Sequence, residues 1–219
     1  DWKRSGLPIK ITHFDPLTTD QIALAHDATY VQGVLNCLIE NGFQNKSRSI
    51  AASLPYTIGS MAAAALHAYR MQEGVTVSPT SGFHHAGYDP REGGLGSYCT
   101  FNGLVIAARL ALHDGTKKVG ICDIDAHWGN GTDDILLRLG LADKISHYTF
   151  GGEERIAKIP TPYEGQSQKV EEWLGRLPTI LDKMFTGVNL LLYQAGADPW
   201  IYDPHGGFLT KEQMARRDE

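Results

Sequence analysis

The chain has 219 residues, 42% of them hydrophobic and 21% charged, which suits one ordinary globular domain with a sizeable core. A formal net charge of -5 and a pI near 6.0 argue against an electrostatic nucleic-acid or membrane binder and favour a small molecule or a protein segment as partner. The cysteines, Cys37, Cys99 and Cys122, are widely spaced and form no C-x-x-C pattern, so neither a disulfide framework nor a Cys-rich zinc module is indicated, and a reducing cytoplasm is the expected setting.

No run of about 18 apolar residues is expected to span a bilayer, and the charged opening Asp1-Trp2-Lys3-Arg4 lacks the form of a signal peptide. In chain order, Ile9-Lys10-Ile11-Thr12 reads as a short strand, followed by a helix over 19–41 with Leu24, Ala25, Val31, Val34 and Leu35 as its apolar positions and Gly42 as its stop. A second helix is expected over 58–71, where the alanine run 62–65 allows close packing. The β-branched Val75-Thr76-Val77 suggests a strand leading to Ser81-Gly82-Phe83-His84-His85-Ala86-Gly87. The loop after it carries Gly93-Gly94-Leu95-Gly96. With no P-loop lysine and no dinucleotide spacing, it reads as a flexible site loop rather than a phosphate cradle.

A helix over 102–112 and a buried strand from Val119 come next, then a short helix through Leu139 and a strand over 145–150 ended by Gly151-Gly152. Residues 166–184 have helical periodicity, which Pro178 should break or kink. The last strand, 189–194, delivers Ala195-Gly196-Ala197-Asp198. Strands alternating with helices imply a three-layer α/β/α domain with a mostly parallel central sheet. No internal repeat or interdomain linker interrupts it.

The chemistry concentrates in 119–132. Successive strand residues alternate faces, so Asp123, Asp125 and His127 share one face with Val119 and Ile121. Two carboxylates at the end of an apolar run repel each other unless a cation or donors are held against them, and Asp and neutral His are both ordinary zinc ligands. The alternative is a strand end whose carboxylates merely cap the helix that follows. Position favours chemistry, because ligands in parallel α/β sheets bind at the carboxyl ends of strands. Asp125, His127 and Asp198 could supply three ligands and leave a position for water or a substrate carbonyl, while the adjacent His84 and His85 suit proton transfer. His13, His26, His67, His113 and His147 lack acidic spacing that suggests a metal site and read as surface or packing residues. His205 reads as loop structure.

At these residues the chain resembles the zinc-dependent histone deacetylase family, which includes bacterial acetylpolyamine amidohydrolases and acetoin-utilisation proteins. The resemblance is carried, in order, by Ala25-His26-Asp27-x-x-Tyr30, Gly82-Phe83-His84-His85-Ala86, Tyr98-Cys99-x-Phe101-Asn102, Asp123-x-Asp125-x-His127-x-Gly129-Asn130-Gly131-Thr132, and Ala195-Gly196-Ala197-Asp198-x-x-x-x-Asp203-Pro204. It implies an arginase/deacetylase-like fold and hydrolysis of an acetylated small molecule or an acetyl-lysine protein segment to free amine and acetate.

Carried over, it implies that Asp125, His127 and Asp198 hold one Zn2+ and that His85 is the general base, oriented by Asn130. His84 would be its partner histidine, hydrogen-bonded towards Asp123. Tyr98 falls where the family lines its narrow substrate channel, with Gly96 as a second substrate-binding position. Asp123, with main-chain oxygens near Asp125 and His127 and with Thr149, matches the family's site for a structural K+.

Three departures go with the resemblance. Trp128 stands where many members have a second histidine, and the stretch from Gly151 to Gln166 is shorter than usual. The family's next strand and its Gly-rich loop, with the tyrosine that stabilises the tetrahedral intermediate, are expected beyond Glu219. The 219 residues are accordingly expected to be a fragment of one catalytic domain that keeps the metal site but hydrolyses acetyl-lysine weakly or not at all. Two other functions stay open at this point: a manganese ureohydrolase of the arginase type, and a catalytically silent binding protein on the same fold.

Overall fold

The computed structural model describes residues 4–72, 74–92, 98–153, 164–205 and 207–219, with the backbone alone for 164–167. Its framework is an all-parallel sheet of β1 (Val119–Asp123), β2 (Ile145–Thr149) and β3 (Leu190–Gln194) in the order β2-β1-β3. Helices α1 (Thr19–Ile22), α2 (Ala28–Leu35), α3 (Arg48–Met71) and α4 (Gly103–His113) precede the sheet. Then α5 (Asn130–Arg138) joins β1 to β2, α6 (Phe150–Glu153) and α7 (Glu164–Phe185) lie between β2 and β3, and α8 (Lys211–Asp218) follows β3.

Alternation along β1 divides the interior. Val119 and Ile121, with Ile145, Leu190 and Leu192, belong to a core completed by Ile22, Val31, Ile58, Ala62, Leu104 and Ala107 from α1 to α4. Cys122 and Tyr148, with Ile124, belong to a second core built with Val170, Trp173, Leu174 and Leu177 of α7 and with Phe208. Helices therefore cover both faces, which gives the expected three-layer α/β/α architecture. Small side chains let α3 and α4 pack together: Ala62 and Ala65 on one, Ala107, Ala108 and Ala111 on the other, all buried.

The register pairs Asp123 of β1 with Thr149 of β2 and with Gln194 of β3, so the three strands end at one level. Every residue expected to do chemistry after β1 and β3 is thus delivered to the same edge of the sheet.

Several local expectations are corrected. Residues 9–12 and 75–77 are not strands, and Ile11 and Val75 are 71% and 89% exposed. β-branched composition makes no strand without a partner edge. The helix expected over 19–41 is two helices. Asp27 accepts from the Tyr30 amide at 2.9 Å and starts α2 afresh, and Cys37, at φ 59 in the left-handed region, ends any continuation.

Helix α3 begins at Arg48 rather than near 58 and runs through Pro55. By length and composition it could cross a membrane, contrary to the expectation of no such stretch, yet Leu54, Ile58, Ala62 and Ala65 are buried in the first core. Gly151 and Gly152 lie within α6 instead of terminating β2. Pro178 does not break α7, where buried Trp173, Leu174 and Leu177 before it and partly buried Ile180 and Leu181 after it hold the helix against the second core. No element was expected at α8. The glycine-rich loop 93–97, Gly96 included, lies outside the described residues, as does most of the connection between Gly151 and Gln166.

Candidate active site

Beyond β1 the chain turns sharply, and the turn presents Asp125 and His127 towards Asp198, which follows β3. Backbone donors fix the arrangement: the His127 amide donates to Asp125 Oδ1 at 2.8 Å, and the Ala126 amide donates to both Asp198 oxygens at 3.2 Å. His127 Nδ1 lies 3.1 Å from Asp125 Oδ1 and 2.8 Å from Asp198 Oδ2. One ligand atom from each of the three falls within 4.8 Å of the others, and among the described residues these are the side chains that converge in this way.

The charges make the case for a cation. Burial alone would raise Asp125, but His84 and His127 hold it below the ordinary carboxylate range. Asp198 is raised, by burial first and by the negative charge of Asp125 second. Two carboxylates and an imidazole so placed, with Asp125 and Asp198 largely buried and His127 partly exposed, fit a divalent ion held by three protein ligands with one side open.

The neighbouring histidines are set in opposite states. His84 Nδ1 donates to Asp123 Oδ2 at 2.7 Å, and His84 Nε2 lies 3.8 Å from Asp125 Oδ1. Burial pulls its pKa down, but the hydrogen bond and charge of Asp123, with Asp125 and Asp198 behind it, outweigh burial and leave it raised. His85 Nδ1 is 2.8 Å from Asn130 Oδ1. That oxygen also accepts the Gly131 amide at 3.0 Å, which identifies it as the amide oxygen, so His85 Nδ1 must be the donor and Nε2 is left bare. Burial and the positive charge of His84 lower the His85 pKa, and the ring stays neutral. Ring centroids are 4.1 Å apart for His84 and His85, and 6.1 Å for His85 and His127.

Helix α5 clasps this histidine loop. The Thr132 amide donates to the His84 carbonyl at 3.0 Å, and a Cβ on Gly131 would stand 2.3 Å from the His85 carbonyl carbon, so only glycine fits. Gly151 of α6 meets the turn after β1 in the same way, at 2.2 Å from the His127 carbonyl carbon. Buried Asn102 caps α4, accepting the Val105 amide at 3.1 Å, and donates to Ala86 O and Thr132 Oγ1.

Other expected positions lie apart. Tyr98 is 73% exposed, sits at φ 63 with its amide on the Gly42 carbonyl, and places its ring edge-on to Phe43 at 6.4 Å, outside this hydrogen-bonded group. Asp123 also accepts the Asp125 amide at 3.2 Å, and Thr149 Oγ1 accepts the Gly129 amide at 2.9 Å. These protein partners give a K+ ion no added support. His205 donates its amide to Asp203 Oδ1 at 2.7 Å, as loop structure.

Two features escaped the sequence. His26 is a buried strut: its Nδ1 donates to Gly87 O and its Nε2 accepts the Asn102 amide, both at 2.8 Å, and burial brings its pKa down to about 4. His147, read as a surface or packing residue without an acidic partner, has a buried side chain and such a partner, donating Nδ1 to Asp133 Oδ1 at 2.7 Å. Asp133 Oδ2 in turn accepts Trp128 Nε1 at 2.7 Å, and these three side chains line a cavity of about 430 Å³ with Thr149 and Glu153.

The sequence matches the histone deacetylase domain over residues 3–217. The chain belongs to the histone deacetylase family. Within it, the chain is 46% identical over 143 residues to the acetylpolyamine amidohydrolase of Mycoplana ramosa, a match covering 55% of this chain and 39% of the relative. Acetylpolyamine amidohydrolase 1 of Pseudomonas aeruginosa is 38% identical over 73 residues, which is 33% of this chain and 19% of that protein. The chain thus spans well under half the length of these deacetylase-family relatives.

Two solved structures share the deacetylase fold. The HDA15 HD domain superposes with a TM-score of 0.69 at 18% identity, over 94% of this chain and 64% of that one. The acetylpolyamine aminohydrolase from Burkholderia pseudomallei gives a TM-score of 0.64 at 17% identity, over 94% and 73%.

Proposed function

We propose that the protein hydrolyses an acetylated amine to the free amine and acetate, using one zinc ion held by Asp125, His127 and Asp198. The observation that carries this reading is the bare Nε2 of a neutral His85 beside the three converging ligands. The two relatives named acetylpolyamine amidohydrolase support the reaction class.

When bound, zinc supplies Lewis-acid polarisation of the amide carbonyl and acidifies the attacking water. The chain's own residues do the rest. His85 accepts the water's proton at Nε2, and Asn130 holds Nδ1 so that the ring keeps that tautomer. His84, held towards its charged form by Asp123, keeps positive charge next to the reacting centre and discourages His85 from protonating early. The acceptor on His85 then returns its proton to the leaving amine. Tyr193 cannot serve as the hydroxyl donor to the developing oxyanion, because it donates to Asp218. Tyr98 and Gly96 are proposed to border the path of a linear acyl chain, and the three free cysteines fit a reducing cytoplasm.

Acetate release from an acetyl-lysine peptide and from an N-acetylated diamine, assayed after chelation and after zinc is restored, tests the proposal. Expected is activity with either substrate that vanishes on chelation and returns with one zinc per chain. Full zinc occupancy with no release from any acetylated amine by the full-length protein would favour a silent binding protein. Two bound metals per chain would favour the ureohydrolase type.

A further inference from the structure

On α8, Arg217 carries a guanidinium whose side chain is 2% exposed. A permanent positive charge goes that deep only if its donors are met. Nε and Nη2 donate to Asp218 Oδ1 and Oδ2 at 2.8 and 3.1 Å, and Nη1 donates to the Gly196 carbonyl at 2.6 Å and reaches the Ile124 carbonyl at 3.5 Å. The Tyr193 hydroxyl of β3 donates to Asp218 as well and anchors the carboxylate.

Both carbonyls belong to the turns that carry ligands. Ile124 immediately precedes Asp125, and Gly196 stands just before Asp198 in the turn after β3. One planar fork therefore ties α8 to the end of β1 and to the turn beyond β3. The two turns it joins present carboxylates that repel each other, so their separation is what a cross-brace must fix. A lysine could satisfy one acceptor at a time but not the carboxylate and two carbonyls together.

We propose that Arg217 is a positioning residue for the metal centre: by bridging the Gly196 and Ile124 carbonyls, it holds Asp198 and Asp125 at ligand spacing without touching the ion. The inference rests on the assignment of Asp125, His127 and Asp198 as zinc ligands. It goes beyond that assignment by naming what keeps the ligands in register.

The test is zinc affinity by chelator competition on the whole protein, together with the visible absorption of the cobalt(II)-substituted form and the Tm of the zinc-free form. Arg217→Met should weaken zinc about 10- to 100-fold and alter the cobalt spectrum, the usual cost of losing a group that orients a ligand. Arg217→Lys should recover only part of the loss. A lower Tm with zinc affinity within twofold of wild type and an unchanged cobalt spectrum would mean a purely structural role and overturn the inference. If Arg217→Met does not fold, Asp218→Asn takes its place. That variant keeps the guanidinium but frees it from its anchor, and unchanged zinc affinity there is equally fatal. Wild-type protein that binds no zinc would instead overturn the ligand assignment itself, and with it this inference.

Discussion

His84 and His85 sit on a loop clasped by α5, each ring answered by a fixed partner, Asp123 for one and Asn130 for the other. Asp125, His127 and Asp198 sit on two separate turns, and two of the three are carboxylates facing each other. The histidine side is complete as protein, with its tautomers set by hydrogen bonds that need nothing from outside. The ligand side holds unresolved repulsion that a cation would relieve. On the histidine side the fold therefore sets both position and tautomer, and on the ligand side it sets position while leaving the charge unbalanced.

The comparison breaks most decisively at the ligands. Asp198→Ala or His127→Ala should lose zinc under chelator challenge and take turnover below detection, and metal analysis showing full retention would end the assignment. On the other side, His85→Ala should lower turnover by roughly 10²- to 10⁴-fold with zinc still bound, the range for a lost general base. If it loses zinc as the ligand variants do, the two sides are not distinct. Asn130→Ala should cost about 10- to 100-fold, because Nδ1 loses the acceptor that fixes the tautomer.

A smaller effect is a shift in pH dependence. His85 works only when neutral and its pKa is lowered, so the acid limb of kcat/KM should lie below the ordinary value of 6.5. Asn130→Asp, by placing a negative charge on Nδ1, should move that limb upward, and a pH–rate profile of both proteins checks it. The smallest effect is on stability of the zinc-free protein. The folded His84 pKa is raised, so its contribution is fully present below pH 6.5 and is lost as pH climbs through the raised value. Chemical denaturation across that window should show the decline, and Asp123→Asn should flatten it.

The adjacent pair His84-His85 was visible in the sequence as a candidate for proton transfer, but its partners Asp123 and Asn130, 39 and 45 positions away, were implied only by the family resemblance. Strand alternation placed Asp123 with Val119 and Ile121, but β1 ends at Asp123, so the turn beyond it and not alternation sets Asp125 and His127, while the helix expected over 102–112 matches α4 within a residue at each end. What could not be read depends on partners far away in the chain. His26 bridges Gly87 and Asn102, and nothing near it announces this. His147 finds Asp133 only because β2 and α5 lie side by side. Arg217, within a run of charged residues, has the pattern of a solvated helix end, and only the packing of α8 beneath the strand ends turns it inward. The strands wrongly expected at 9–12 and 75–77 fail for the converse reason: their composition is local, while a strand is a relation to a neighbour.

Gly131 and Gly151 press against the main chain at His85 and His127, where any added methyl group would stand 2.3 and 2.2 Å from backbone carbon. The main chain at each histidine thus rests directly against a glycine. For a library meant to change what the site accepts, those two positions are closed to variation. The freedom lies at exposed side chains such as Tyr98 and Trp128, which can be exchanged while both backbone contacts stay shut.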